Sequence, residues 1–559
     1  MKIVKTHIIR ILFLSLLFVS PLMLTSYDDS KNFELAKNLD IFYSLFQELN
    51  THYVDDIDAG ELMSYAIDKM LESLDPYTRY IPETDVERFQ MMTKGEYGGV
   101  GALIGQRDSC MMISEIFEGY PAHKAGLLPG DKIVKVDDRN IIGISQDDIH
   151  ELLQGQPGTN LKLGIIRDGK KDIQTIVVKR ENISMKSVPY YGIMDGNVGY
   201  VKLVGFTQNC SVELKNACID LKNKGAKSII LDLRDNPGGL LVEAIHITNL
   251  FVEQNKKIVF TKGKNSLAES SFFTKEAPWD TKIPLVVLVN ENSASASEIV
   301  SGALQDLDRA VIIGKQTFGK GLVQTRRELA HNALLKVTTS KYYIPSGRCI
   351  QKMDYSKHLL RGKGEAMPDS LQRVFYTENK RPVKDGGGIV PDVKVSADST
   401  SAFLQALYAK YVLEDYVNSN YSFSDSSHIS PQTFHITDAE YQKFIQYAKA
   451  NGFVYTSKSE MLLKQAKEEM KHENIPISKE MNELENTINN QQLTLFESDK
   501  KEIVYALESV IIQRIFFEKG KIKFQMYHDD FVDEALKYLK NGSMYTNIIE
   551  GKTGIHKKM

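Results

Sequence analysis

Three serines at alternating positions, Ser293, Ser295 and Ser297, stand before Glu298, and Lys320 and Gln324 follow further along the chain. A serine hydroxyl attacks a carbonyl when a base takes its proton. A lysine serves as that base only when neutral, which burial among apolar neighbours achieves. Phe318, Leu322 and Val323 are placed in sequence to supply such a dry wall, and Gly319 and Gly321 permit close packing around Lys320. Gln324 offers the amine a hydrogen bond without adding charge. A Ser–Lys pair is an alternative to Ser–His–Asp, and the chemistry it implies is acyl transfer through a serine ester. That chemistry does not choose among the three serines, and serines ahead of a helix also serve as caps.

The neighbouring elements must position these groups. The run Pro284 to Val289 is short, β-branched and bounded by polar residues, the pattern of a strand buried on both faces. Small residues 293–297 then lead into Glu298-Ile299-Val300, and Ala303 and Leu304 continue an apolar helix face. The serines therefore fall at a helix N-terminus, where unpaired N–H groups favour negative charge and suit an oxyanion. A second strand, Ala310 to Ile313, enters Gly314-Lys315-Gln316-Thr317-Phe318-Gly319-Lys320-Gly321, a near miss to a phosphate-binding loop. Gly321 stands where that loop needs a hydroxyl, and Leu322-Val323-Gln324 reads as a strand instead of a phosphate-holding helix, which argues against nucleotide binding.

Taken together, S-A-S-A-S-E and F-G-K-G-x-V-Q resemble the carboxyl-terminal processing peptidases, the tail-specific serine proteases of family S41. The resemblance implies Ser295 as nucleophile, Lys320 as base and Gln324 as the partner that orients the base, with Ser293 and Ser297 structural. The turn Arg234-Asp235-Asn236-Pro237-Gly238-Gly239-Leu240 matches the family's glycine turn. Glycines let backbone approach a substrate closely, so an amide of Gly238 or Gly239, with that of Ala296, is the expected oxyanion hole. Tyr342 to Arg348 and Gly386 to Asp392 match further family segments, so the resemblance runs from about residue 33 to 397. It implies a crotonase-like core related to the Clp peptidases and needs no metal or cofactor, whereas periodicity alone shows an α/β alternation from Gly199 onward. His246, on an apolar-rich helix, reads as packed; Asp232 and Asp235 read as turn caps, and Asp306 as a support of the fold.

The 559 residues are enough for three or four domains. A net charge of −3, with no basic tract carrying interleaved aromatics, gives no footprint for nucleic acid. Four widely spaced cysteines make no C-x-x-C pair and read as buried free thiols. Residues 1–26 carry a basic start and an apolar run, an export signal or an uncleaved membrane anchor. That predicts an exported protein, in the bacterial periplasm or at the outer face of the inner membrane. Residues 27–97 read as an N-terminal helical region whose apolar faces suit docking or self-association.

Residues 98–181 look like a PDZ domain, with Gly98-Gly99-Val100-Gly101 ahead of an apolar strand, Gly130-Asp131-Lys132-Ile133, and a helix over 147–153. Such a domain adds a peptide strand to its sheet edge, and the amides of Gly98, Gly99, Val100 and Gly101 would hold a terminal carboxylate. Gln154 stands where related proteases often carry a basic residue. Residues 182–397 form the protease core, with polar 353–385 read as a surface insertion. Residues 398–559 form a helical C-terminal domain beyond the shared motifs. The whole reads as a serine endopeptidase acting on polypeptides with exposed apolar C-termini, with a homo-oligomer or an adaptor protein as further partner. The competing class is a non-enzymatic or latent peptide-binding scaffold.

Overall fold

A computed structural model describes residues 31–552 apart from 87–88, 90–94, 108, 168–171, 265–268, 357–363, 396–399 and 422–425. The expected export segment therefore lies outside the described residues. Among those residues no helix is long and apolar enough to cross a membrane.

The chain divides into two compact units, the first ending at Tyr80. Its described part holds a helix over 31–52 and a second, Ala59–Glu72, started by the Asp58 carboxylate, which accepts the Glu61 N–H at 2.8 Å. The first helix leaves Phe33, Leu39, Phe42 and Tyr43 exposed at 67, 60, 44 and 67%.

The second unit is built on a six-stranded sheet in the order Tyr190–Met194, Val198–Lys202, Ser228–Asp232, Leu285–Val289, Val311–Gly314 and Val393–Lys394. Its first pair is antiparallel and the remaining pairs are parallel. Every residue of Leu285–Val289 is buried, as its unbroken apolar run predicts. Because side chains alternate along a strand, Leu285, Val287 and Val289 join one core cluster and Val286 and Leu288 another. Helices Cys210–Asn223, Leu241–Phe251 and Ala296–Asp306 contribute to the first cluster. The second contains Ile522, Met526, Phe531, Val532, Ala535 and Ile548 of the C-terminal helices. The segment that the sequence sets apart at 398 thus supplies the second face of the central sheet.

The C-terminal region also has its own core around Phe403, Leu407, Tyr416, Phe444 and Ile511. The capping box read at Thr437 and Glu440 forms: Glu440 Oε2 accepts the Thr437 N–H at 2.7 Å and Thr437 Oγ1 accepts the Glu440 N–H at 3.3 Å. Helix Lys500–Tyr527 breaks at Phe517 (φ 59°, ψ −162°), so its two halves serve different cores.

Strands Ala102–Arg107, Cys110–Ile116, Lys132–Val136, Asn160–Ile166 and Gln174–Lys179 form an antiparallel sheet with Ala102–Arg107 at one edge. Helix Gln146–Leu153 accompanies it. A groove of about 430 Å³ is lined by Gly99, Val100, Ala102, Leu103, Ile104, His150, Leu153 and Gln154, among others. Gly98 and Gly101 are not in its lining. A Cβ on Gly98 would come within 2.2 Å of the Gly155 carbonyl oxygen, and Gly101 has φ 74°. Both glycines answer backbone needs. Arg107 pairs through both guanidinium nitrogens with Asp415, at 2.6 and 2.5 Å, and Arg514 donates to the Pro129 carbonyl at 3.0 Å. The C-terminal helices therefore touch this sheet as well as the central one.

The segment 353–385 is more than a surface insertion. Arg381, only 4% exposed, bonds Asp308 at 2.6 Å and also Asp392. Its polar composition reflects buried ion pairing in addition to solvent exposure. Cys210 and Cys218 are buried free thiols, whereas Cys110 and Cys349 are only partly buried.

Candidate active site

The three serines separate by burial. Ser293 and Ser297 are fully buried, with Oγ donating to the carbonyls of Leu233 at 2.8 Å and Asn236 at 2.9 Å. Ser295 is partly exposed and takes φ 56°, ψ −111° directly before helix Ala296–Asp306. Few non-glycine residues tolerate positive φ, and such strain collects at functional positions. Ser295 thus follows the carboxyl end of a central parallel strand, where open α/β sheets bind their ligands.

The glycine turn after Ser228–Asp232 lies against it. The Asn236 carbonyl accepts the Ala294 N–H at 3.0 Å, and the Asn236 side chain donates to the Leu203 carbonyl at 2.9 Å. A Cβ on Gly238 would lie 2.9 Å from the Ser295 Cβ and 2.9 Å from the Ala296 nitrogen. The Gly238 N–H is already taken by Asn236 Oδ1 at 2.9 Å, so Gly238 is not the turn's free donor. The Gly239 and Ala296 N–H groups make no hydrogen bond among the described residues.

Asp232 and Asp235 do structural work. Fully buried Asp232 accepts hydrogen bonds from the Arg234 guanidinium, at 3.0 and 2.7 Å, and from the Tyr200 hydroxyl at 2.6 Å. Although burial opposes the charged form, Arg234 and Lys202 hold its carboxyl well below the usual range. Arg234 also donates to Asp529 at 2.6 Å, and Asp529 Oδ1 caps helix Asp530–Lys540. Asp529→Ala removes a charged hydrogen bond and this cap, so a stability loss of about 3 kcal/mol is expected in denaturant melts. Asp235 accepts hydrogen bonds from the side-chain amides of Asn290 and Asn292 at 2.8 and 2.9 Å. His246 lies on helix Leu241–Phe251, and its side chain makes no hydrogen bond among the described residues. Asp306 pairs with fully buried Arg348 at 2.8 Å.

Lys320 is partly buried at the end of a loop entering strand Leu322–Glu328. Its carbonyl accepts the Tyr342 hydroxyl at 2.6 Å, with the Ser295 carbonyl 3.2 Å from the same hydroxyl. Gly319 and Gly321 pack as closely as read: added Cβ atoms would meet Lys352 Cβ at 2.5 Å and the Gln351 nitrogen at 2.8 Å. The dry wall is a partial correction. Leu322 is buried and Val323 packs against the core cluster, but Phe318 is 48% exposed. Gln324 donates through Nε2 to Thr338 Oγ1 at 3.2 Å across the paired strands.

Glu298 was legible only as a helix-start residue, yet its fully buried carboxylate touches both segments. Oε2 accepts the Ser295 N–H at 2.8 Å and the Lys320 N–H at 2.9 Å. Oε1 accepts the Gly319 N–H at 2.7 Å and the Thr317 hydroxyl at 2.6 Å. The sequence signal for it was Ser295-x-x-Glu298, a capping-box spacing. Burial pushes its carboxyl up to about 7, against the pull of the four donors. A raised carboxyl value means that this group's stabilisation is full below its ordinary 4.5 and is lost as pH rises through about 7. Wild-type melting temperature should therefore fall relative to Glu298→Gln between about pH 5 and about pH 8, and parallel curves would contradict the shift.

Comparison with known proteins places these features. The model of peptidase family S41 matches residues 197–358, a PDZ domain model matches 112–167, and the probable PDZ-protease C-terminal helical domain matches 403–539. A probable CtpA-like serine protease of Staphylococcus haemolyticus is 36% identical over 366 residues, 63% of this chain and 70% of that protein. A carboxy-terminal-processing protease of Bartonella bacilliformis is 37% identical over 341 residues, 60% of this chain and 77% of that protein. The solved photosystem II D1 C-terminal processing protease is 26% identical, with 64% of this chain and 92% of that chain covered and a TM-score of 0.36. Fold and family together define a serine peptidase that carries a PDZ domain and a C-terminal helical domain. The chain belongs to the carboxy-terminal-processing serine proteases of peptidase family S41.

Proposed function

We propose that the chain is an exported endopeptidase that takes polypeptides by their apolar C-termini and cleaves them through an acyl-enzyme on Ser295. The observation that carries this reading is the contrast in burial between Ser295 and its two neighbours, together with the positive φ that presents Ser295 next to free amides. Lys320, neutral, accepts the hydroxyl proton and returns it to the leaving amine. Gln324 steadies Lys320 once substrate draws the strand into place. The Gly239 and Ala296 amides hold the oxyanion, and water then resolves the ester.

The PDZ groove receives the substrate tail as an added strand along Ala102–Arg107, with amides near Gly99 and Val100 facing the terminal carboxylate. Exposed Phe33, Leu39 and Phe42 support self-association through helix 31–52, and the basic-then-apolar start of the chain supports export. The test is mass spectrometry of the full chain incubated with an unfolded polypeptide ending in apolar residues. Fragments together with an acyl adduct on the peptide bearing Ser295 are expected. Binding without cleavage at saturating tail peptide would move the scaffold reading ahead.

A further inference from the structure

The segments bearing Ser295 and Lys320 leave the carboxyl ends of two adjacent parallel strands and share no strand ladder. Beyond the Phe318 N–H, which donates to the Ser293 carbonyl at 3.1 Å, their mutual position depends on side chains. Two consecutive amides of the second segment, Gly319 and Lys320, both donate to the Glu298 carboxylate. The next amide, Gly321, donates to the Gln351 side chain at 2.6 Å. An ordinary capping box needs one bond from such a glutamate, back to the N-cap amide. Glu298 makes that bond and three more, and the same oxygen that holds the Ser295 amide holds the Lys320 amide. The partners in these bonds are three backbone N–H groups and a hydroxyl, so what this buried carboxylate fixes is backbone. Thr317 is fixed in turn, its Oγ1 accepting the Ile389 N–H at 2.6 Å.

We infer that Glu298 is a positioning residue that sets the Lys320 segment at its working distance from the Ser295 turn. This rests on the reading of Ser295 and Lys320 as nucleophile and base. The ionised carboxylate is the form that can do it, because all four of its bonds are then acceptances. A carboxamide of the same size has one oxygen, and its NH₂ would face either the Ser295 and Lys320 N–H groups or the Gly319 N–H beside the Thr317 hydroxyl, so at least one backbone donor is left opposed.

The test uses the full chain and a reporter peptide. Glu298→Gln is expected to lower kcat about 100-fold with KM unchanged, the effect of displacing a catalytic group by about an ångström. Glu298→Asp, which keeps the acceptors on a shorter arm, should recover about tenfold of that loss. A folded Glu298→Gln with wild-type kcat, or one whose KM shifts as much as its kcat, would overturn the proposal. If Glu298→Gln does not fold, Thr317→Val removes one donor and leaves the carboxylate. A kcat about tenfold lower is then expected, and an unchanged kcat would count against Glu298. Ser295→Ala run in parallel separates the two ideas: residual cleavage there refutes the dyad, whereas an inert Ser295→Ala beside a fully active Glu298→Gln refutes only the positioning role.

Discussion

Ser295→Ala is expected to lower kcat on the order of 10⁶-fold, as removal of a serine nucleophile does when the rest of the site stays intact. Binding of tail peptides should be unchanged, because the PDZ groove contains neither Ser295 nor its neighbours. The backbone gives this prediction a second arm. Ser295 sits at φ 56°, a conformation that costs a non-glycine residue about 1–3 kcal/mol. Ser295→Gly should therefore lose the same activity while melting at a higher temperature than the wild type. Equal melting temperatures for the alanine and glycine variants would show that the turn is unstrained.

The second large effect is expected at Gly238. With φ 98°, it has a backbone that alanine resists, and its new Cβ would fall 2.7 Å from the Ala294 carbonyl oxygen. The same atom would fall 2.9 Å from both the Ala296 nitrogen and the Ser295 Cβ. Either the turn retreats or Ser295 does, and both movements spoil the alignment of hydroxyl and amides. Gly238→Ala is expected to lower kcat/KM about 100- to 1,000-fold, the range for a displaced group or a lost oxyanion donor. Steady-state kinetics beside a melting curve checks it. A stable variant with normal kinetics would mean that the turn does not abut the reacting atoms.

Much of this site was legible in sequence because its parts are local. The apolar run at 285–289, the small residues at 293–297 and the glycines around Lys320 each report on their own backbone. What was not legible depends on contacts across sequence. The choice of Ser295 over Ser293 and Ser297 turns on which hydroxyl finds the carbonyls of Leu233 and Asn236, residues from a different strand and turn. The choice between the Gly238 and Gly239 amides was left open, because it turns on the Asn236 side chain, which folds back onto the Gly238 N–H. Phe318 was misjudged because nearness to Lys320 in sequence is not nearness of its ring to the core. Glu298 showed one bond of four, since the others come from residues 317–320 on the neighbouring loop. The two-sided burial of Leu285–Val289 was evident as a uniform apolar run, but such a run does not say which helices cover which face.

The covering of the central sheet's second face by residues 522–548 has a consequence for the order in which the molecule comes into being. Chains emerge from the ribosome, and cross membranes, with their N-terminal parts first. Every residue of the Ser295 and Lys320 segments is present while Val286, Leu288, Val311 and Ile313 still lack the helices that shield them. The nascent chain therefore carries Ser295 and Lys320, the proposed nucleophile and base, on an unfinished layer until the far end of the chain has docked.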